Sequence, residues 1–249
     1  MRMQGMVAIV TGGSRGLGKA IALEYGREGA KVVILSRPTS PSGLSGSAIE
    51  TAEVINSASG EALGIPCDVT NEAHVKNAVD RVMNDFGRID VLVNNAGLMI
   101  IGEPFLDIES ERWDDLMAVN VRGPYLCCRY ILPVMMKQGY GSVINIGSRM
   151  GAELVPGGGT VYSASKAALH MVSYALADEM REFNIAVNIL SPGSLRSEGS
   201  WAILNNRANW DLRIDPTANG PGAVYLALQT AESFTGQYVH IDDFGKTWG

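Results

Sequence analysis

Short runs of uninterrupted apolar residues alternate along the chain with longer segments whose apolar positions recur every three or four residues. Residues Met6 to Thr11 (Met-Val-Ala-Ile-Val-Thr) form the first run and Lys31 to Ser36 (Lys-Val-Val-Ile-Leu-Ser) the second. Others fall near 62–67, at Asp90–Asn94, at Ser142–Ile146, at Ile185–Leu190 and at Gln237–Ile241. Runs this short, rich in Val and Ile and lacking a polar face, predict strands buried on both sides. Helices are expected over 15–28, 48–58, 71–86, 109–138 and 161–182, with one more after 214. The period is clearest in 71–86, where Val75, Ala78, Val79, Val82, Met83 and Phe86 fall at i, i+3, i+4, i+7, i+8 and i+11. Gly123-Pro124 predicts a break in 109–138. Residues 37–47, rich in Pro, Ser and Gly, predict a surface loop, and 193–214 read as irregular. Strand–helix alternation predicts an α/β protein: one doubly wound, Rossmann-like domain over 1–249, its parallel seven-stranded sheet covered by helices on both faces. No internal repeat or composition break marks a second domain.

Composition narrows the partners. The 249-residue chain carries a net charge of −6 and has a pI near 5.1. A nucleic-acid footprint shows as a basic patch or high pI, so nucleic acid is not an expected partner. No stretch approaches the ~18 apolar residues of a membrane span. The start, Met1 to Met6, offers no secretory signal pattern. Three cysteines, Cys67, Cys127 and Cys128, make no disulfide framework. Together these predict a cytoplasmic protein without membrane attachment, and no metal site is expected. Charged residues are only 18% of the chain against 46% hydrophobic, which excludes a disordered chain and suggests close packing, including at subunit interfaces.

In such sheets ligands bind beyond the carboxyl ends of the strands. The first of those ends reads Thr11-Gly12-Gly13-Ser14-Arg15-Gly16-Leu17-Gly18. Glycines 12, 16 and 18 permit a tight turn and leave helix N–H groups free to face a pyrophosphate. The same residues satisfy Gly-x-Ser-x-Gly, the nucleophile elbow of α/β hydrolases, with His240 late in the chain as a triad candidate. Only one strand precedes Ser14, whereas an elbow follows several, which argues against a hydrolase. A second constellation is Tyr162-Ser163-Ala164-Ser165-Lys166 at the start of a predicted helix. Tyr162 and Lys166 stand at i and i+4 on one face. A nearby ammonium is expected to lower the phenol pKa from about 10, supplying an acid/base for an alcohol–carbonyl pair.

With the glycine loop, Asn94-Asn95-Ala96-Gly97, Ser148 and Tyr162-x3-Lys166 in this order, the chain resembles the short-chain dehydrogenase/reductase family over essentially its full length. The resemblance implies that Tyr162 is the general acid in reduction or base in oxidation. It implies that Lys166 holds the nicotinamide ribose and tunes Tyr162, that Ser148 hydrogen-bonds the substrate oxygen, and that Asn120 completes a water-linked proton relay. Gly12, Ser14, Arg15, Gly16, Leu17 and Gly18 would cradle the cofactor. Asn94, Ala96 and Gly97 would border it, Asp68 and Val69 would meet the adenine, and Pro192, Gly193 and Ser197 would lie beside the nicotinamide. The chain departs from the family pattern at four places. The Ser148–Tyr162 interval is one residue longer, with Gly157-Gly158-Gly159 able to absorb it. Gly147 stands where a second Ser is common, Ser197 replaces a Thr, and Asp243-Phe244 replaces a Gly-Gly, so the tail is expected to pack differently.

The cofactor preference is read from the end of the second strand. An acidic residue about 20 positions past the glycine loop suits a ribose 2′-OH, whereas Arg suits a 2′-phosphate. Here Leu35-Ser36-Arg37 carries no carboxylate, and Arg15 offers a second guanidinium, so NADP(H) is expected over NAD(H). Residues 194–214 are the expected substrate lid, with Trp201, Ala202, Ile203, Leu204 and Trp210 available to line it. Met150, Leu154 and Val155 are further candidates for the substrate wall, and Arg149, Arg196 and Arg213 could meet a carboxylate. The expected function is hydride transfer between NADP(H) and a ketone or secondary alcohol, in a homotetramer. The alternatives are a non-catalytic nucleotide-binding regulator on the same fold and the Ser14 hydrolase.

Overall fold

A computed structural model of the chain describes residues 1–38, 44–156, 159–203 and 209–249. Seven parallel strands form one sheet in the order β3-β2-β1-β4-β5-β6-β7. They are β1 (Val7–Thr11), β2 (Lys31–Ser36), β3 (Glu61–Pro66), β4 (Val91–Asn94), β5 (Gly141–Ile146), β6 (Ile185–Ser191) and β7 (Tyr238–His240). The described α-helices are α1 (Gly16–Arg27), α2 (Ala48–Ser57), α3 (Glu72–Phe86), α4 (Ser110–Met117), α5 (Gly123–Gln138), α6 (Thr160–Glu179), α7 (Glu198–Ile203) and α8 (Gly220–Ala227). The strand order reverses direction at β1, and β1 pairs with both β2 and β4.

The two faces of the sheet are dressed by different helices because successive strand residues point to opposite sides. Ala8 and Val10 join α1, α2 and α8 in one core. Val7 and Ile9 join α3 and α5 in the other. The expected period of 71–86 is met: Val75, Ala78, Val79 and Val82 are the buried residues of α3. That helix starts at Asn71, whose side chain accepts from the His74 N–H, and stops at Gly87, which takes a left-handed φ of 72°.

The expected break near Gly123-Pro124 comes as a π-turn at Ala118–Arg122, directly before them. Proline lacks an N–H and its ring collides with the carbonyl four residues back, so the ladder widens ahead of it. The stretch 161–182 ends as α-helix at Glu179, and a 3₁₀ turn at Arg181–Phe183 leads to Asn184 with φ 57°. The tail closes on aromatic contacts: the Phe244 and Trp248 ring centroids lie 4.8 Å apart, and both rings pack against Tyr225 of α8. Among the described residues no helix is long and apolar enough to cross a membrane, and no cluster of three or more His, Cys, Asp or Glu residues could hold a metal ion.

Candidate active site

A cavity of about 680 Å³ runs along the carboxyl edge of the sheet, from the loops after β2 and β3 to those after β6 and β7. Its first wall is the glycine loop. Gly12 and Gly16 take φ of 65° and 52°, values that disfavour any side chain. A Cβ on Gly18 would stand 2.4 Å from Asn95 Nδ2 and 2.5 Å from the Gly12 carbonyl oxygen. Asn95 holds the loop to β4: its Nδ2 donates to the Thr11 and Gly12 carbonyls at 2.8 and 3.1 Å. The Asn95 and Ala96 N–H groups both donate to Thr11 Oγ1 at 3.0 Å. No Arg15 side-chain bond caps α1 and no acidic residue sits in its first turn. The Gly16 N–H instead donates to a Glu198 carboxylate oxygen at 3.2 Å. The chain's own anion thus occupies the positive end of α1, and the loop fits the phosphates of a dinucleotide.

The opposite wall is built where α6 crosses the end of β5. The Ser148 side chain accepts from the Met150 N–H at 3.2 Å, and its hydroxyl is near enough to the Tyr162 phenol to oppose a rise in its pKa. Lys166 Nζ donates to the Ile146 carbonyl at 2.7 Å and lies over the Tyr162 ring, 5.8 Å from its centroid. Burial pushes the Tyr162 phenol up to about 12 against that opposition. This corrects the expected lowering. The ammonium faces the aromatic ring and a backbone carbonyl, so removing the hydroxyl from water outweighs it. Burial lowers Lys166 to about 8.

The structure also brings in His170, which motif reading missed. It lies one turn beyond Lys166 on α6, is buried, and its Nε2 accepts the Ser148 N–H at 3.3 Å. Burial lowers its pKa to about 4, and the Lys166 charge adds to this. Its ring centroid lies 5.2 Å from that of Tyr238. His170 also accounts for Gly147: a Cβ there would stand 2.5 Å from His170 Nε2 and 2.4 Å from the Ile189 side chain. A helical period carried two turns past Tyr162 is the signal that would have found it.

Most of the expected residues meet in this one cavity. Gly12, Ser14, Arg15, Gly16, Leu17 and Gly18 line it, as do Ser36, Arg37, Asp68, Val69, Ala96 and Gly97. Ser148, Met150, Val155, Tyr162, Lys166, Pro192, Gly193, Ser197, Ile203, Arg149 and Arg213 line it too. Five do not. Asn94 is buried beneath the wall, its Nδ2 donating to Asn145 Oδ1 at 2.8 Å, and the next residue, Asn95, is the one that reaches the cavity. Asn120 is also buried: Oδ1 accepts from the Leu98 N–H at 2.8 Å, and Nδ2 donates to the Leu98 carbonyl and to Ser165 Oγ at 2.9 and 3.0 Å. Leu154 is 93% exposed, outside the cavity. Trp201 and Trp210 pack edge to face at 4.8 Å and line a separate groove with Lys19, Leu23 and Arg196. Gly157, Gly158 and Leu204 lie outside the described residues, while Gly159 takes φ 105° at the start of α6.

Ser14 lines the cavity, but the structure gives it no base. His74 Nδ1 accepts from the Asp68 N–H, His170 Nε2 from that of Ser148, and His240 Nδ1 from that of Asp242. None of these three histidines, all that the chain has, bonds Ser14.

Fold and site define a Rossmann-type oxidoreductase: a glycine loop for a dinucleotide, and a Tyr–Ser–Lys group facing it across one cavity. Comparison with known proteins agrees. Residues 6–208 match the model of the short chain dehydrogenase family, and the chain belongs to the short-chain dehydrogenase/reductase family, whose members bind a nicotinamide cofactor. It is 40% identical over 202 residues to an uncharacterized oxidoreductase of Thermotoga maritima, covering 81% of this chain and 76% of that one. It is 32% identical to a 3-oxoacyl-(acyl-carrier-protein) reductase of Haemophilus influenzae, covering 96% and 98%. Among solved structures, a short-chain type dehydrogenase/reductase from Mycobacterium marinum superposes with TM-score 0.85 at 31% identity, covering 98% and 97%. A metagenomic short-chain oxidoreductase in complex with NADP superposes with TM-score 0.79 at 33% identity, covering 96% and 98%.

The His170 geometry makes a prediction. Between pH ~4 and 6.5 the unfolded imidazole binds a proton that the folded one refuses, so folded stability rises with pH across that window. In His170→Leu this contribution should vanish, read as a flatter pH dependence of the denaturation midpoint. Turnover should fall by about tenfold or more through misplacement of Ser148, with cofactor KM little changed. An unaltered kcat would show that Ser148 needs no such support.

Proposed function

We propose that the enzyme interconverts a ketone and a secondary alcohol with NADP(H). The observation that carries this reading is the Tyr162–Ser148 hydroxyl pair, which lines the same cavity as the glycine loop, with Lys166 beside it. When bound, the nicotinamide supplies or accepts the hydride. The Ser148 hydroxyl donates to the substrate oxygen and fixes its position. Tyr162 gives that oxygen its proton in reduction and takes it back in oxidation. A phenol held near 12 stays protonated at neutral pH, which suits the reductive direction. Lys166, anchored on the Ile146 carbonyl, would hold the nicotinamide ribose, and it orients the phenol by packing over its ring. Asn120 serves this group as a brace, tying Leu98 to α6 through Ser165. Residues 191–195, Ser197, Ser200, Ile203 and Arg213 contribute the third wall. The Leu195–Ile214 bridge pinches the base of that segment, and we read 194–214 as the substrate lid. A nucleotide-binding regulator on this fold would have no use for a buried lysine that supports a paired tyrosine.

The preference for NADP(H) rests on Arg37 and Arg15. Both line the cavity beside Ser36, where β2 ends without a carboxylate. Arg15 Nη1 donates to the Leu44 and Ser45 carbonyls at 2.8 and 3.1 Å, which draws that segment over the glycine loop. Guanidinium forks suit a phosphate dianion better than a hydroxyl. The NADP complex of the metagenomic relative supports the same reading. We also infer a homotetramer, because Trp113, Tyr125, Met171, Val172 and Tyr174 on α4, α5 and α6 are exposed and closed two-fold assembly covers such faces.

Tyr162→Phe should leave cofactor binding intact and lower ketone reduction by at least ~10²-fold; near wild-type reduction would remove Tyr162 from the chemistry. Wild-type kcat/KM should clearly favour NADPH over NADH, and Arg37→Asp should raise KM for NADPH strongly and for NADH little. A preference for NADH by the wild type would refute the cofactor reading. Light scattering should give a mass near four times 26.6 kDa, and a mass near the single-chain value would contradict the tetramer.

A further inference from the structure

The substrate end of the cavity carries a cation without a carboxylate partner. Three arginines stand near this end, and two are neutralised: Arg149 Nε pairs with Glu153 at 2.8 Å, and Arg196 Nη2 with Asp215 at 3.6 Å. Arg213 pairs with no acidic side chain among the described residues, and segments 39–43, 157–158 and 204–208 contain no Asp or Glu. It is half-buried and lines the cavity. Its Nη1 donates to Ser194 Oγ at 2.7 Å, and its guanidinium lies over the Trp210 ring at 5.9 Å. A neutral hydroxyl on one edge and an aromatic face on one side hold the plane of the fork without cancelling its charge.

Its place in the fold says which ligand group it meets. Ser194 follows Pro192-Gly193 at the end of β6, and the Ile214 N–H donates to the Ser194 carbonyl at 2.9 Å. This fastens Arg213 beside β6, the sheet neighbour of β5 with Ser148. The arginines assigned to the cofactor, Arg15 and Arg37, lie across the sheet at β1 and β2. The apolar side chains of Met150, Val155 and Leu195 line the same cavity as Arg213 and Ser148. The one acidic side chain among the described lining residues, Asp68, follows β3 at the far end. A half-buried guanidinium facing a cavity free of acids at its own end is built to receive a planar anion.

We propose that the substrate is a ketone bearing a carboxylate, and that Arg213 binds the carboxylate while Ser148 and Tyr162 take the ketone oxygen. The proposal rests on the ketone–alcohol reading above. Its test compares 2-, 3- and 4-oxo acids, aliphatic and aromatic, each with its methyl ester, by kcat/KM with NADPH. The wild type should prefer the acid of at least one pair by about tenfold or more. Arg213→Met, which keeps the apolar stem, should lower kcat/KM for that acid about 10²-fold and for its ester by less than about threefold. Arg213→Lys, which keeps the charge but not the fork, should fall between. The proposal is overturned if no acid is preferred to its ester, or if acid and ester activities fall together in Arg213→Met. Should the wild type reduce no ketone, the ketone–alcohol reading fails first, and the carboxylate site is judged by binding. Tryptophan fluorescence, reported by Trp210 under the guanidinium, should show the acids binding the wild type and not Arg213→Met. Equal binding to both, or wild-type binding weaker than about 1 mM for every acid, overturns the site itself.

Discussion

A buried lysine ammonium costs a great deal of free energy unless it finds hydrogen-bond acceptors, and Lys166 finds the backbone carbonyl at the end of β5. That bond sets where α6 crosses the sheet, and residues one turn to either side inherit their positions from it. Tyr162, four residues earlier, meets the Ser148 hydroxyl, while His170, four residues later, accepts the Ser148 N–H. Ser165, next to the lysine, receives the amide of Asn120 and so ties the π-turn between α4 and α5 to the same helix. Serine, tyrosine and lysine are therefore held by backbone and buried side chains rather than by mobile loops, which is what preorganised catalysis needs.

The electrostatics of this group follow from burial more than from pairing. Two opposite charges in contact would lower a phenol and raise an amine, whereas both groups here shift toward their neutral forms. Desolvation dominates because Lys166 faces a carbonyl and a ring instead of the phenolate oxygen. His170 obeys the same rule: kept neutral, its Nε2 can accept a hydrogen bond that an imidazolium would have to refuse. Three ionisable side chains sit on one helix face, and at neutral pH Lys166, lowered only to about 8, is the one that still carries a charge.

The parallel sheet divides labour across the cavity. All strands end at one edge, so the loops that bind and react are collected there, and sheet order decides their neighbours. The switch at β1 separates a side with Ser36, Arg37 and Asp68 from a side with Ser148, Pro192 and Arg213. Asn95 closes the seam between β1 and β4, where the two halves meet. Each side presents a guanidinium, which is consistent with a ligand pair that is anionic at both ends.

What the sequence determined by itself are the features with local causes. Strands follow from short Val- and Ile-rich runs, α3 from its period and caps, the glycine loop from residues that must take positive φ, and the Tyr162–Lys166 pair from helical spacing. The family pattern extended this to Ser148 and to the order of the motifs. The tertiary structure decided what depends on parity and on packing between distant segments. Asn94 and Asn95 are equivalent as letters, but the end of a pleated strand turns one into the sheet and the other toward the cavity. Leu154 and the tryptophans are apolar and near the site in sequence, but packing sends the first into solvent and the others to a neighbouring groove. Asn120 became a brace because Leu98 offers both a donor and an acceptor to its amide. The direction of the Tyr162 shift was beyond the sequence for the same reason: spacing gives proximity, but burial and the aim of an ammonium exist only once β5 and α6 are packed together.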